Sequence, residues 1–258
     1  MKLIHLSDIH LMENGQIIWD TDTKSHFDKA INIIKNLNDI DVIIISGDLS
    51  NDGSEWSYRY IDNQFASIGI PTYCCPGNHD NIDFLLHKYE PQFLQFKNQI
   101  DLGGWKFYFI NTVIPDEIDP SHNKARGMIA EKNLVELERE LINNKIPTAI
   151  IFHHPAKEPG GWLNRRLLEN RDQFNHIISK FPHVKMVLYG HIHYEIQHEE
   201  NGIIYSASPS IGYAFDKELP KFQIADKQEG FNIIEIRNES IQISKINIHD
   251  PDYISLTN

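Results

Sequence analysis

Five short segments of this chain gather Asp, Asn and His beside glycine, serine or proline. They are Ser7-Asp8-Ile9-His10, Gly47-Asp48-Leu49-Ser50-Asn51, Pro76-Gly77-Asn78-His79-Asp80, His153-His154-Pro155 and Gly190-His191-Ile192-His193. Two divalent cations roughly 3.5–4 Å apart need a carboxylate able to bridge them, with neutral imidazole, amide or carboxylate caps on either side. Asp8, Asp48, Asn78 and four histidines of these segments supply such a set. Mixed nitrogen and oxygen donors suit Mn, Fe, Co or Zn and differ from the thiolate sites of structural zinc.

The elements that must position these side chains are legible as apolar runs ahead of each segment. Strands are predicted over 2–6, 42–46, 72–75, 148–152 and 184–189, each ending where a ligand-type segment begins. Further strands are predicted over 106–111, 203–207, 231–237 and 240–248. A helix is predicted over 25–37, where Phe27, Ala30, Ile31, Ile34 and Leu37 recur at three- and four-residue steps and Ser25 serves as N-cap. Other helices are predicted over 55–68, 131–143 and 171–180. Alternating strands and helices, then strands alone, imply a layered α/β domain around a mixed sheet or two stacked sheets. With no repeat or Gly/Ser-rich linker, residues 1–258 read as one domain, and 113–126, with Pro115 and Pro120, as a long surface loop. The carboxyl ends of parallel strands share one edge, so the five segments should converge there. Glycines let the chain turn sharply and leave room for an ion. If residues 191–193 are extended, His191 and His193 point the same way.

Composition narrows the function. Over 258 residues, 36 acids against 24 bases leave a net charge of −12. That disfavours a nucleic-acid binder and an anionic membrane surface, both of which attract basic proteins. Adjacent Cys74 and Cys75 cannot build a disulfide framework and read as buried thiols of a reducing compartment. The first residues lack an apolar signal core, and no aliphatic run is long enough to span a bilayer, so a cytoplasmic location is expected.

The segments resemble the motifs of the calcineurin-like metallophosphoesterases: Asp-x-His, Gly-Asp, Gly-Asn-His-Asp, His and Gly-His-x-His, here from Leu3 to His193. Within that superfamily the chain is similar to bacterial class III 3′,5′-cyclic AMP phosphodiesterases. The similar stretches are Phe181-Pro182-His183-Val184-Lys185, Ala207-Ser208-Pro209-Ser210 and Glu229-Gly230-Phe231. The resemblance implies a layered metallophosphoesterase fold with central mixed β-sheets flanked by helices. It assigns Asp8, His10 and His193 to one metal, and Asn78, His153 and His191 to a second. Asp48 would bridge both, and His79 would contact the scissile phosphate. Fe or Mn are the favoured ions, with Zn or Co next. The implied reaction is in-line attack of a metal-bound hydroxide on cyclic AMP, giving 5′-AMP, with His10, Asp48, Asn78, His79 and His193 around the phosphate. One metal can lower a water pKa from 15.7 to about 7, on the order of 12 kcal/mol, against about 10²–10⁴-fold from a positioned acid such as His79. A glycerophosphodiesterase or broader phosphoesterase with the same metal core is the nearest alternative. A nuclease is disfavoured by the charge, and a non-catalytic module by the complete ligand set. The resemblance also allows a homodimer.

The remaining candidates have plainer readings. His5, His26, His87, His122, His176, His183, His198 and His249 read as surface or hydrogen-bonded residues. His154 reads as supporting His153 or as structural, Asp80 as a helix cap ahead of a residue that orients a ligand loop, and Asn51 as either a turn residue or a support for the ligands. Residues 56–60 read as core aromatics. Gly160-Gly161-Trp162 reads as a surface loop or a cover for the substrate. Arg165, Arg166 and Arg171 read as a solvated helix face ahead of a cluster that attracts phosphate.

Overall fold

The computed structural model describes residues 1–114, 125–218, 221–238, 240–250 and 252. Most of the expected 113–126 loop lies outside the described residues, as do His122 and the side chain of Arg165.

Strands β1 (Lys2–Leu6), β2 (Val42–Ser46) and β3 (Thr72–Cys75) alternate with helices α1 (Thr23–Lys35) and α2 (Glu55–Ile68). Next come β4 (Gln99–Leu102), β5 (Trp105–Phe109), α3 (Glu131–Asn143), β6 (Thr148–Ile151), α4 (Arg171–Ile178) and β7 (Val184–Tyr189). The chain ends in strands: β8 (Ile196–Glu200), β9 (Ile203–Ala207), the short pair β10 (Ala214–Phe215) and β11 (Ile224–Ala225), then β12 (Gly230–Arg237) and β13 (Ser240–Asn247). One sheet runs β13-β12-β1-β2-β3, the other β4-β5-β6-β7-β9-β8. β1, β2 and β3 are parallel, as are β5, β6, β7 and β9, while β12 pairs antiparallel with β1.

Residue alternation explains the layering. Within the uniformly buried β2, Ile43 and Ile45 pack outward against α1 and α2, whereas Val42 and Ile44 face the second sheet. Phe107 and Phe109 of β5, Ala149 and Ile151 of β6, and Met186 and Leu188 of β7 meet them across the seam. Helices α3 and α4 cover the outer face of the second sheet through Leu134, Leu137, Leu141, Phe174 and Ile178. The result is helices, sheet, sheet, helices, with both sheets buried on two faces. Strands so placed read as unbroken apolar runs.

Two local expectations change. Helix α1 begins two residues early because the Asp22 carboxylate, not Ser25, caps it and accepts the Ser25 N–H at 2.9 Å. Edge strands β4 and β8 are additional. β8 is exposed along most of its length and β4 alternates exposed with half-buried residues, so neither carries an apolar run. Among the described residues no helix is long and apolar enough to cross a membrane.

Candidate metal centre

The ligand-type residues sit where parallel strands end. Asp8 and His10 follow β1, Asp48 follows β2, and Asn78 and His79 follow β3; His153 follows β6, and His191 and His193 follow β7. All but His79 are buried. Both sheets therefore contribute to one cluster across their seam. Residues 191–193 are not extended as the alternation argument required. His191 (φ 71°) and His193 (φ 58°) are left-handed, as are Asp8 (φ 56°), His10 (φ 50°) and Asp48 (φ 53°). Non-glycine residues adopt this region at roughly 1–2 kcal/mol each, and Asp and His do so more often than most. Loop-to-loop bonds over-determine it. Asp8 N–H donates to the Gly47 carbonyl at 3.0 Å, and Ile9 and His10 N–H donate to the Asp48 carbonyl at 2.8 and 3.0 Å. His191 N–H donates to both Asp8 carboxylate oxygens, at 2.9 and 3.1 Å. Two glycines are steric necessities: a Cβ on Gly77 would lie 2.2 Å from Asp48 Oδ1, and one on Gly190 1.8 Å from Ser7 Oγ.

The side chains form two lobes joined by Asp48. In the first, His10 Nε2 faces His193 Nε2 at 3.1 Å, and Asp8 Oδ1 lies 3.3 Å from His193 Nε2. In the second, His191 Nδ1 faces His153 Nε2 at 3.2 Å, with Asn78 Oδ1 3.1 Å from that Nε2. Asp48 Oδ2 is 3.4 Å from His10 Nε2 and 3.2 Å from His153 Nε2, between the lobes.

Tautomers test whether these residues fit metal ions. His153 Nδ1 donates to the Ser46 carbonyl at 2.8 Å, His193 Nδ1 to the Tyr213 carbonyl at 2.7 Å, and His191 Nε2 to the Ala125 carbonyl at 3.0 Å. His10 Nδ1 meets Asn51 Oδ1 at 3.1 Å. A carbonyl only accepts, so each ring's outer nitrogen carries the proton and its inner nitrogen a lone pair. In both lobes two lone pairs then confront each other at hydrogen-bond distance with no proton between them. That arrangement is repulsive unless a cation sits in each lobe, and the backing acceptors are those that orient metal-bound imidazoles. The residues fit a pair of divalent cations.

Without metal the only relief is protonation, and the lobes differ in how they take it. Burial opposes a charged His153, yet Asp48, Asp8 and the Ser46 carbonyl outweigh it and push the imidazole up to about 9. Burial dominates at His10, which falls to about 4, and at His191, which falls well below its usual value with His154 and His153 adding repulsion. Burial also opposes ionisation of Asp8 and Asp48, but the surrounding imidazoles hold both carboxyls below the usual range.

Several neighbours were not legible or were read otherwise. Asp80 caps no helix. Its carboxylate accepts N–H bonds from Gly77 at 2.9 Å, Ser50 at 3.0 Å and Leu49 at 3.3 Å, locking the Asp48 loop to the Asn78 loop. Burial and the Asp48 charge push it up to about 7. Asn51 meets His10, so it supports a ligand. His154 Nδ1 pairs with Thr112 Oγ1 at 2.8 Å, and its ring packs on His153 and His191. Exposed His79 stands at the mouth, with its ring 4.8 Å from that of His10 and its backbone N–H donating to Asp48 Oδ1 at 2.8 Å. The mouth opens into a cavity of about 420 Å³ whose far wall is aromatic: Trp19, Trp162, Tyr213, Phe215 and Phe222. Phe215 stacks on His193 at 4.2 Å, Trp19 meets Phe222 at 5.0 Å, and Trp162 meets Phe215 at 5.4 Å. Arg166 is exposed and lies over Trp162 at 5.5 Å at the edge of this cavity, whereas Arg171 pairs with Glu158 at the surface.

Of the remaining histidines, His87, His176 and His198 are exposed as expected. His5 is neither at the surface nor fully hydrogen-bonded. Buried between the sheets, its Nε2 pairs with Ser46 Oγ at 2.8 Å while Nδ1 has no partner. Burial lowers it to about 3, so it stays neutral. Cys74 and Cys75 are buried free thiols, as expected.

Comparison with known proteins places this geometry in context. The family model of calcineurin-like phosphoesterases matches residues 1–195. A 3′,5′-cyclic-nucleotide phosphodiesterase of Nostoc sp. is 28% identical over 252 residues, covering 95% of this chain and 91% of its own. The 3′,5′-cyclic adenosine monophosphate phosphodiesterase CpdA of Haemophilus influenzae is 25% identical, covering 93% and 86%. A dimetal phosphatase from Danio rerio superposes with a TM-score of 0.69 over 96% of both chains at 9% identity, a likeness of fold.

Proposed function

Because this chain belongs to the calcineurin-like phosphoesterase family, we propose that it is a dinuclear-metal phosphodiesterase that hydrolyses 3′,5′-cyclic AMP to 5′-AMP. In this reading Asp8, His10 and His193 hold one divalent cation and Asn78, His153 and His191 the other, with Asp48 between them. The facing lone pairs of His10 with His193 and of His153 with His191 are the observation that carries it. The mixed nitrogen and oxygen donors suit Mn, Fe, Co or Zn, and the resemblance to the family puts Fe or Mn first. Relatives named as cyclic-nucleotide phosphodiesterases support the substrate class.

When bound, the cations supply Lewis acidity to the phosphoryl oxygens and acidify water near neutral pH. The chain supplies the rest. Carbonyls of Ser46, Ala125 and Tyr213 hold the outer imidazole protons of His153, His191 and His193, so their inner nitrogens are the ones turned to the cations, and metal binding displaces the proton that metal-free His153 carries. The Asp80 clamp holds Asp48 and Asn78 in one frame. A water oxygen adds to phosphorus and loses a proton to solvent, the P–O3′ bond breaks, and O3′ takes a proton. His79, at the mouth and outside both lobes, is the side chain placed to donate it. The aromatic wall gives the base a stacking surface, which a glycerol ester would leave unused. The −12 charge and a cavity of about 420 Å³ suit a small diester and not a nucleic acid. The buried free thiols support a reducing cytoplasmic setting.

The test compares cyclic AMP, a glycerophosphodiester and a phosphomonoester with protein reconstituted with Mn²⁺ or Fe²⁺ and with metal-free protein. Metal-dependent, preferential formation of 5′-AMP is expected. Turnover of the other esters with cyclic AMP intact would overturn the substrate, and full activity without metal would overturn the site.

A further inference from the structure

Glu229 takes no part in the chemistry assigned to the dinuclear centre, yet it is buried where a loop meets β12, at 2% exposure. His249 Nε2 lies 2.8 Å from its Oε2, and Ala214 N–H donates to its Oε1 at 3.4 Å. The His249 ring packs edge-on against His26 of α1, with centroids 5.1 Å apart and planes at 89°. One donor atom from each of His26, Glu229 and His249 lies within 4.8 Å of the other two. His26 donates Nδ1–H to the Gly212 carbonyl at 2.8 Å, which leaves its Nε2 with a lone pair. A backbone carbonyl behind one nitrogen is how metal-bound imidazoles are commonly oriented.

We propose that His26, Glu229 and His249 form a further divalent-metal site, separate from the dinuclear centre, and that it takes zinc. Two imidazoles and one carboxylate form a three-ligand zinc set that keeps a fourth position open. The residues face a cavity of about 500 Å³ in which Asp20, Asp22 and Asp226 outnumber Lys29 and Lys227, so the local field favours a cation. The His249–Glu229 contact holds a proton, and binding exchanges it for the ion. His249 Nε2–H gives its proton to water, and the nitrogen and carboxylate oxygen separate to about 3.3 Å, the span set by two zinc bonds at a tetrahedral angle. The three ligands come from the first turn of α1, the approach to β12 and the segment after β13. A bound ion would therefore fasten the first helix to the strands that close the five-stranded sheet. It would also brace Gly212, whose N–H donates to the Asp8 carbonyl at 2.8 Å.

The experiment is a zinc titration of the full chain at micromolar free metal, read by competition with a chromophoric chelator, for wild type and for H26A/H249A. About one equivalent fewer is expected in the double variant, with the equivalents of the dinuclear centre retained. Equal stoichiometry in the two proteins would overturn the site and leave a hydrogen-bonded triad. Should the double variant not fold, anomalous diffraction at the zinc edge from wild-type crystals grown with zinc decides the matter. A peak among the three residues supports the site, and peaks at the dinuclear centre alone refute it. Neither readout depends on which ester the enzyme cleaves.

Discussion

Replacing Asp80 removes the acceptor for three buried N–H groups at once, those of Gly77, Ser50 and Leu49. A buried donor left without a partner costs about 1–3 kcal/mol, so Asp80→Ala forfeits about 3–9 kcal/mol before relaxation. That is comparable to the whole stability of a typical domain, about 5–15 kcal/mol. Asp80→Asn is gentler. Its carbonyl oxygen can replace Oδ2, which serves Gly77 and Leu49, while the amide nitrogen facing Ser50 orphans one donor, a loss of about 1–3 kcal/mol. Urea unfolding of the metal-free proteins, compared at constant slope, measures both. The same variants should bind metal more weakly than wild type, because Asp48 and Asn78 sit on the two loops that Asp80 joins. If Asp80→Ala unfolds within about 0.5 kcal/mol of wild type, the range of an ordinary surface change, and binds metal normally, the carboxylate is no clamp.

Asn78→Ala should lose one metal equivalent together with most of the activity, read by metal analysis beside the phosphodiesterase assay; full activity with one metal would sink the dinuclear reading. Trp162→Ala and Phe222→Ala should raise KM for cyclic AMP about tenfold, since stacking on a base is worth about 1–3 kcal/mol. Hydrolysis of a small aryl phosphodiester should change little, and equal losses on both substrates would argue against a base-stacking wall. For His5 the unfolded chain takes a proton near pH 6.5, whereas the folded protein stays neutral down to about 3. Its contribution to stability is therefore full above pH 6.5 and falls as pH drops toward 3, by about 2 kcal/mol at pH 5. His5→Gln should flatten that part of the stability curve relative to wild type, and parallel curves would contradict the assignment.

The strands that carry the centre were legible because they are sandwiched. With helices on one side and a second sheet on the other, β2 has no face to leave polar, and its end is marked by Gly47-Asp48. Edge strands β4 and β8 lack that constraint and left no apolar signature. The eight candidate site residues were all visible as side-chain types, but the groups that set their tautomers are mostly backbone carbonyls, which no residue letter encodes. Asp80 looked like a cap because local sequence cannot show an aspartate reaching across to residues 49 and 50. The aromatic wall was hidden for a related reason: Trp19, Trp162 and Phe222 come from three distant parts of the chain. Left-handed φ values at His191 and His193 defeated a rule that holds only for extended backbone.

The sheet order has a consequence for how the protein emerges from the ribosome. β1 lies between β2 and β12, so its Leu3 pairs with Ile234, more than two hundred residues later in synthesis. Every candidate ligand, from Asp8 to His193, is therefore synthesised before the strands that complete the first sheet exist. Until then β1 offers a bare edge, with the aliphatic run Val42-Ile43-Ile44-Ile45 next to it. Such non-local pairing folds slowly, and unpaired apolar edges are where growing chains stick to one another. Maturation of the centre is thus tied to the last strands made, and a nascent chain should depend on shielding of its first half until they arrive.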